Sequence, residues 1–176
     1  MSENPRAMEP RTLTALSSHV ALHHAAMSIS VFDSMGGQSF MLSTGIIFDT
    51  AKNEFVPELY TFDSVAGTIK VLTPGSYDIS YQVSMGLAVG NARTTSMSNL
   101  LIGGIPESGV DSYGYHRNAA NGRDTNVASI TIDLSANDII SVNSEVIAGA
   151  TQLGTIAGGS RLNVRRTASP SSRLSR

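Results

Sequence analysis

The chain has 176 residues, a formal net charge of −2 and no cysteine or tryptophan; 41% of it is hydrophobic and 15% charged. That length fits one domain with a modest extension, and a charge content below the roughly 25% of an average soluble protein excludes a disordered polyampholyte and a charge-dense helical bundle. The absence of cysteine removes a disulfide scaffold, a thiolate zinc site and a cysteine nucleophile.

The opening segment MSENPRAMEPR is polar, with two glutamates and two prolines. It lacks the basic stretch and apolar run of a secretory leader, and no apolar stretch in the chain approaches the roughly 20 residues that span a bilayer. Synthesis in a cytoplasm, with no membrane partner, is the expectation. Thr12 to Met27 then places Leu13, Leu16, Val20 and Met27 at spacings of three, four and seven, which predicts an amphipathic helix over about 12–27.

From about Ile29 the texture changes to short β-branched and aromatic runs broken by Gly, Pro, Asn or Asp, the pattern of an antiparallel sandwich. Strands are predicted over 40–49, 57–63, 66–72, 76–86, 97–103, 126–134, 138–147 and 160–167. In the clearest of them, Tyr77, Ile79, Tyr81, Val83 and Met85 point to a core while Asp78, Ser80, Gln82 and Ser84 point away. The runs Ile130–Leu134 and Ile139–Val142, joined by Ser135-Ala136-Asn137-Asp138, read as a hairpin. Segments 87–97 and 104–125, rich in Gly, Asn, Ser and Arg, read as loops, where function concentrates. Three regions result: an arm over 1–38 containing the helix, a sandwich over 39–167 and a basic tail over 168–176. All fourteen Asp and Glu precede Val146, whereas five of the twelve Lys and Arg (Arg161, Arg165, Arg166, Arg173, Arg176) follow it, so an acidic body of net −7 carries an end of net +5. Five spread arginines are too few to call for nucleic acid.

The order of these signals resembles a known family. Ile47-Phe48-Asp49, Tyr60, Gly67-Thr68-Ile69-Lys70-Val71 and Pro74-Gly75-Ser76-Tyr77-Asp78-Ile79 look like the first half of the tumour-necrosis-factor-like jelly roll shared with complement globular heads, as also found in bacteriophage structural proteins. Leu100-Leu101-Ile102-Gly103-Gly104, with Gly103 in place of the usual Asn, resembles its apolar strand and turn. Leu134 to Val142 resembles its Leu-x-x-Gly-Asp-x-Ile/Val-x-Val hairpin, with Asn137 at the glycine, and Ser160 to Val164 resembles its closing strand. Asn tolerates the left-handed conformation such a turn needs. The likeness covers about residues 40–167. It implies an all-β antiparallel jelly-roll sandwich of eight to ten strands that packs as a trimer, and the uncharged face Ser76, Ser80, Gln82 and Ser84 suits a contact between copies.

Other constellations are weaker. His19 and His23 stand at i, i+4 on the predicted helix beside His24, but no Glu or further ligand completes a metal set. No Gly-x-Ser-x-Gly turn follows a strand, and the glycine pairs precede no helix, so neither an enzyme nor a cofactor is expected. The stretch Tyr113, Tyr115, His116 and Arg117 has the composition of a surface-recognition loop.

The expected function is that of a structural virion protein: a homotrimeric decoration or cement protein on a bacteriophage capsid. Its partner would be the major capsid protein or another virion protein, contacted by Arg6, Arg11, Leu13, Leu16, Val20, Met27, Arg165, Arg166, Arg173 and Arg176. The alternatives are a receptor-binding knob or fibre tip that reads a host glycan, and a main jelly-roll capsid protein of a small virus.

Overall fold

The computed structural model describes residues 27–39, 43–53, 55–89, 93–116, 123–149 and 152–168, apart from the side chains of 87–89, 152 and 168. The predicted helix over 12–27 falls, except for Met27, outside the described residues, as does the tail beyond Ala168. Among the described residues there is no helix; thirteen strands form two antiparallel sheets.

Sheet A takes its strands in the order β10 (Arg123–Leu134), β6 (Gly75–Val89), β13 (Arg161–Ala168), β1 (Ser28–Phe32) and β3 (Thr50–Ala51), and β12 (Gln152–Thr155) also pairs with β6. Sheet B runs β4 (Tyr60–Asp63), β5 (Thr68–Val71), β11 (Ile139–Ala148), β7 (Thr94–Ile102) and β8 (Ile105–Pro106). There β2 (Thr44–Gly45) also pairs with β11, and β9 (Ser112–His116) with β7. The all-β sandwich expected from sequence is therefore the fold.

Its organising element is β6. Period-two alternation sends Tyr77, Ile79, Tyr81, Val83 and Met85 into the space between the sheets, where each is 2% exposed or less. They meet Ile29 and Val31 of β1 and Leu162 and Val164 of β13 from their own sheet. From sheet B come Ile69 and Val71 of β5, Leu100 of β7, and Ile140 and Val142 of β11, all in one core cluster. Complete burial of each such side chain contributes about 1.5–3 kcal/mol. The Tyr60 and Tyr77 rings close the core edge-on, with centroids 6.1 Å apart.

Three sequence expectations change. The stretch Ser28–Phe32, assigned to the arm, is a strand of sheet A lying between β13 and β3, so the sandwich begins eleven residues earlier than the expected 39. The hairpin expected between β10 and β11 does not form: β10 pairs with β6 in sheet A, and β11 pairs with β7 and β5 in sheet B. The connecting turn crosses between sheets and is held by β5, since Asn137 N–H donates to the Val71 carbonyl (2.7 Å) and Val71 N–H to the Asp138 carbonyl (2.9 Å). Asn137 does adopt the left-handed conformation, with φ 75°. The expected loops also shrink: β6 extends to Val89, β7 starts at Thr94, and β9 occupies the middle of the supposed recognition loop.

The registers define two poles. Ser28 of β1 lies opposite Arg165 of β13, Arg165 opposite Asp78 of β6, and Asp78 opposite Thr131 of β10, so both ends of the described chain leave sheet A at the same pole. At the other pole stand the end of β6, the start of β7, the end of β9 and the start of β10.

Candidate functional site

The outward face of sheet A is rich in small polar side chains, with Val127 and Arg161 standing opposite Gln82 and Asp133 opposite Ser76. Residues opposite one another in an antiparallel pair share a face, which places Ser76, Asp78, Ser80 and Gln82 of β6 beside Ser129, Thr131 and Asp133 of β10 and beside Asn163 and Arg165 of β13. Ser28 and Ser30 of β1 continue the row. An open groove of about 630 Å³ crosses these strands, lined by Ser28, Asp78, Ser80, Ser129, Thr131, Asn163 and Arg165 among others.

These groups largely satisfy one another. Ser30 Oγ donates to Asn163 Oδ1 (2.5 Å), and Asn163 Nδ2 donates to Ser80 Oγ (3.3 Å). Asp78 receives Thr131 Oγ1 and Arg165 Nη2, each at 2.7 Å, and the hydrogen bond from the Arg165 guanidinium is the main reason its carboxyl is held below the usual range. Gln82 Nε2 donates to the Gly159 carbonyl (2.9 Å) and to Ser84 Oγ (3.2 Å). Polar groups paired in this way lose less on leaving water than unpaired ones would. The Arg165–Asp78 pair is the salt bridge found among the described residues.

Of the contact residues read from sequence, Ser76, Ser80 and Gln82 share this face. Ser84 does not present a free hydroxyl there: it is 9% exposed, lies against Gly159 in the turn before β13, and its Oγ pairs with Thr125 Oγ1 at 3.1 Å. Their partners Ser30, Ser129, Thr131 and Asn163 were not identified from sequence, because which strands lie side by side cannot be read from alternation alone. A second feature missed there is a recess of about 170 Å³ in which Lys52 and Arg161 flank Phe32.

At the pole where the chain ends leave, Tyr60 is the clasp. Its hydroxyl donates to the Met27 carbonyl (2.7 Å) and accepts the Arg166 N–H (3.0 Å), so one buried side chain ties the entry of β1 to the exit of β13. Burial pushes the Tyr60 hydroxyl above its ordinary pKa. Of the expected arm contacts, Met27 sits at this junction, Arg165 is engaged on the sheet face, and Arg166 donates through Nη2 to the Pro74 carbonyl (3.0 Å). Arg6, Arg11, Leu13, Leu16, Val20, Arg173 and Arg176 lie outside the described residues.

At the opposite pole the supposed recognition loop is strand β9, and alternation splits its candidates. Tyr113 and Tyr115 point outward, 61% and 51% exposed, whereas His116 points inward and is 1% exposed; Arg117 lies outside the described residues. His116 joins an inner polar layer of Thr94, Ser96, Ser98, Asn126 and Ser144, all buried. Within it Asn126 Nδ2 donates to Ser98 Oγ (2.9 Å), which pairs with Ser144 Oγ at 2.7 Å. No group of three His, Cys, Asp or Glu residues that could hold a metal occurs among the described residues, and no helix long and apolar enough to cross a membrane occurs among them.

Several solved structures superpose on this chain. Eiger TNF from S. frugiperda superposes with a TM-score of 0.53 at 12% identity, covering 85% of this chain and 98% of that one. Murine APRIL gives 0.53 at 15% identity over 80% and 98%. The globular domain of zebrafish complement 1qA gives 0.56 at 13% identity over 81% and 98%. The fold is the tumour-necrosis-factor-like jelly roll. No known family model matches the sequence, and no curated protein matches it either. Identity this low makes the likeness one of fold, and many functions share a fold. In this jelly roll, the segments that carried the resemblance occupy the expected places: Thr68–Val71 is β5, Gly75-Ser76-Tyr77 opens β6, Gly103-Gly104 turns β7 into β8, and Arg161–Ala168 closes sheet A.

Proposed function

We propose that this protein is a structural, non-enzymatic component of a virus particle, a homotrimeric decoration or cement protein on a bacteriophage capsid. The single observation that carries the reading is the outer face of sheet A, where hydrogen-bonded Ser, Thr and Asn side chains run across four strands around one ion pair. The central row of that face, Ser30, Asn163, Ser80 and Ser129, can pack against a copy of itself without burying an unpaired charge. The fold supports the same arrangement, since three copies around an axis give closed symmetry.

The anchoring half of the proposal rests on the shared exit of the chain ends. The described chain begins before β1 and ends after β13, adjacent strands at one pole, so a trimer would carry three pairs of attachment points for residues 1–26 and 169–176 on one side. Linked arms raise avidity through effective concentration without any one strong site, and the basic end suits an acidic capsid surface. Deletion of residues 1–26 is expected to abolish occupancy on particles while the folded oligomer persists; full occupancy after that deletion contradicts the proposal.

A second reading draws on Tyr113 and Tyr115, exposed on β9 at the pole away from the arms. Aromatic faces on a rigid strand suit sugar rings, as in a receptor-binding knob that reads a host glycan. Binding of purified protein to host cells or a glycan array, lost in Tyr113→Ala and Tyr115→Ala, favours this reading; binding to particles but not to cells favours decoration.

A further inference from the structure

We propose that His116 is an acid-sensitive latch that holds β9 and the pole opposite the chain ends closed at neutral pH and releases them when its ring takes up a proton. The ring is 1% exposed, and neither Nδ1 nor Nε2 has a hydrogen-bond partner in the structure. Asn126 Oδ1, buried in the same layer, also has none. A neutral imidazole offers one donor and one acceptor, whereas the protonated ring must bury a charge and find acceptors for two N–H groups.

The side chains that line its layer carry no charge to balance it. Across the sheet from His116 lies Thr94, and beside it the layer consists of Ser96, Ser98, Asn126 and Ser144. The packing around Gly114, two residues earlier on β9, leaves no slack: a β-carbon there would lie 2.4 Å from Asn126 Oδ1, 2.9 Å from Asp124 Oδ2 and 3.1 Å from Ser96 Oγ. Among the described residues the charge that acts on the ring is Asp124 of β10. Its carboxylate is committed elsewhere, accepting the Tyr115 N–H at 2.5 Å and the Thr125 N–H at 2.7 Å. Tyr115, also on β9, faces outward, β7 faces the ring with uncharged Thr94 and Ser96, and Arg93 and Arg123 at the starts of β7 and β10 are exposed.

Burial therefore outweighs the attraction of Asp124 and holds the ring below the ordinary histidine pKa of 6.5. A pKa lowered in the closed state means that the open state binds protons more readily. The closed state keeps its full advantage above about pH 6.5 and loses it as the pH falls from there toward the lowered value. Opening frees the edge strand β9, and with it Tyr113 and Tyr115, while the core around Tyr77 and Val142 stays intact.

Hydrogen exchange of the full chain at pH 7.5 and 5.5, corrected for intrinsic rates, tests this. Amides of 94–98, 112–116 and 123–127 are expected to exchange faster at pH 5.5 by up to about tenfold, the limit for a group of ordinary pKa 6.5 that is neutral when closed and free to charge when open. Amides of 77–81 and 140–142 are expected not to change. The variant His19→Gln/His23→Gln/His24→Gln, in which His116 is the remaining histidine, should keep the response, and His116→Gln should lose it. Because His116→Gln could fail to fold, NMR titration of the His116 ring in the triple variant provides an independent readout. A ring pKa at or above 6.5, equal exchange at the two pH values, or a response that survives in folded His116→Gln overturns the proposal.

Discussion

At Gly114 the missing side chain is a packing requirement. Its buried backbone faces Asn126, Asp124 and Ser96 so closely that a methyl group must displace a committed side chain. Gly114→Ala is expected to lower stability by about 1–3 kcal/mol, the usual cost of overpacking a filled interior, read as a lower denaturant midpoint at unchanged slope. Tyr81 carries a comparable burden in the neighbouring layer, where its hydroxyl lies 2.7 Å from the carbonyls of both Ser98 and Val110. Tyr81→Phe leaves those buried acceptors a partner short and should cost about 1–3 kcal/mol in the same measurement. His116 was legible as a notable residue in the sequence but not as a buried one. Its neighbours Tyr113, Gly114 and Tyr115 have turn-like composition, and only pairing with Thr94–Ser98 makes them a strand with one inward and one outward face.

Elements were legible where alternation ran long enough to define a face. β6 shows five apolar residues alternating with polar ones, and every inward prediction from Tyr77 to Met85 is buried. β1 was missed because Ser28-Ile29-Ser30-Val31-Phe32 offers just two inward positions between a helical pattern and a Gly-Gly break. The β10–β11 connection was misread for a physical reason: a tight turn between two alternating runs has the same local pattern whether the runs pair or pack face to face across the core. Here Leu134 and Ile140 approach that core from opposite sheets. On the candidate face, Ser80 and Gln82 could be read from one strand, whereas their contacts with Asn163 and Gly159 span about 80 residues of sequence and needed the fold. The position of β1 yields a sharp expectation. Removing residues 1–26 should leave stability nearly unchanged, while removing 1–32 deletes the fully buried Ile29 and Val31 and leaves β13 an open edge. Those two side chains alone contribute about 3–6 kcal/mol, and thermal melting of the two truncations should separate sharply.

For the whole molecule, the division of labour between poles and faces is the main result. One pole gathers both ends of the described chain under the Tyr60 clasp, the other holds β9 over an inner polar layer, and sheet A offers between them a broad polar face whose central row, Ser30, Asn163, Ser80 and Ser129, is uncharged. Tyr60→Phe should therefore speed amide exchange at Ser28 and Arg166 without affecting β10, because it loosens the junction of the ends and nothing else. The low charge content of the chain has its counterpart in that face, where Asp78 and Arg165 neutralise each other. If copies meet there, a new unpaired charge at its centre is costly, and Ser80→Arg should dissociate the assembly without unfolding the monomer. The most direct test is native mass spectrometry of the full chain at neutral pH. Three chains together, about 55 kDa from a protomer of 18.5 kDa, reduced to single folded chains by Ser80→Arg, is the predicted result; a single 18.5 kDa chain at micromolar concentration, or a trimer indifferent to Ser80→Arg, would contradict it.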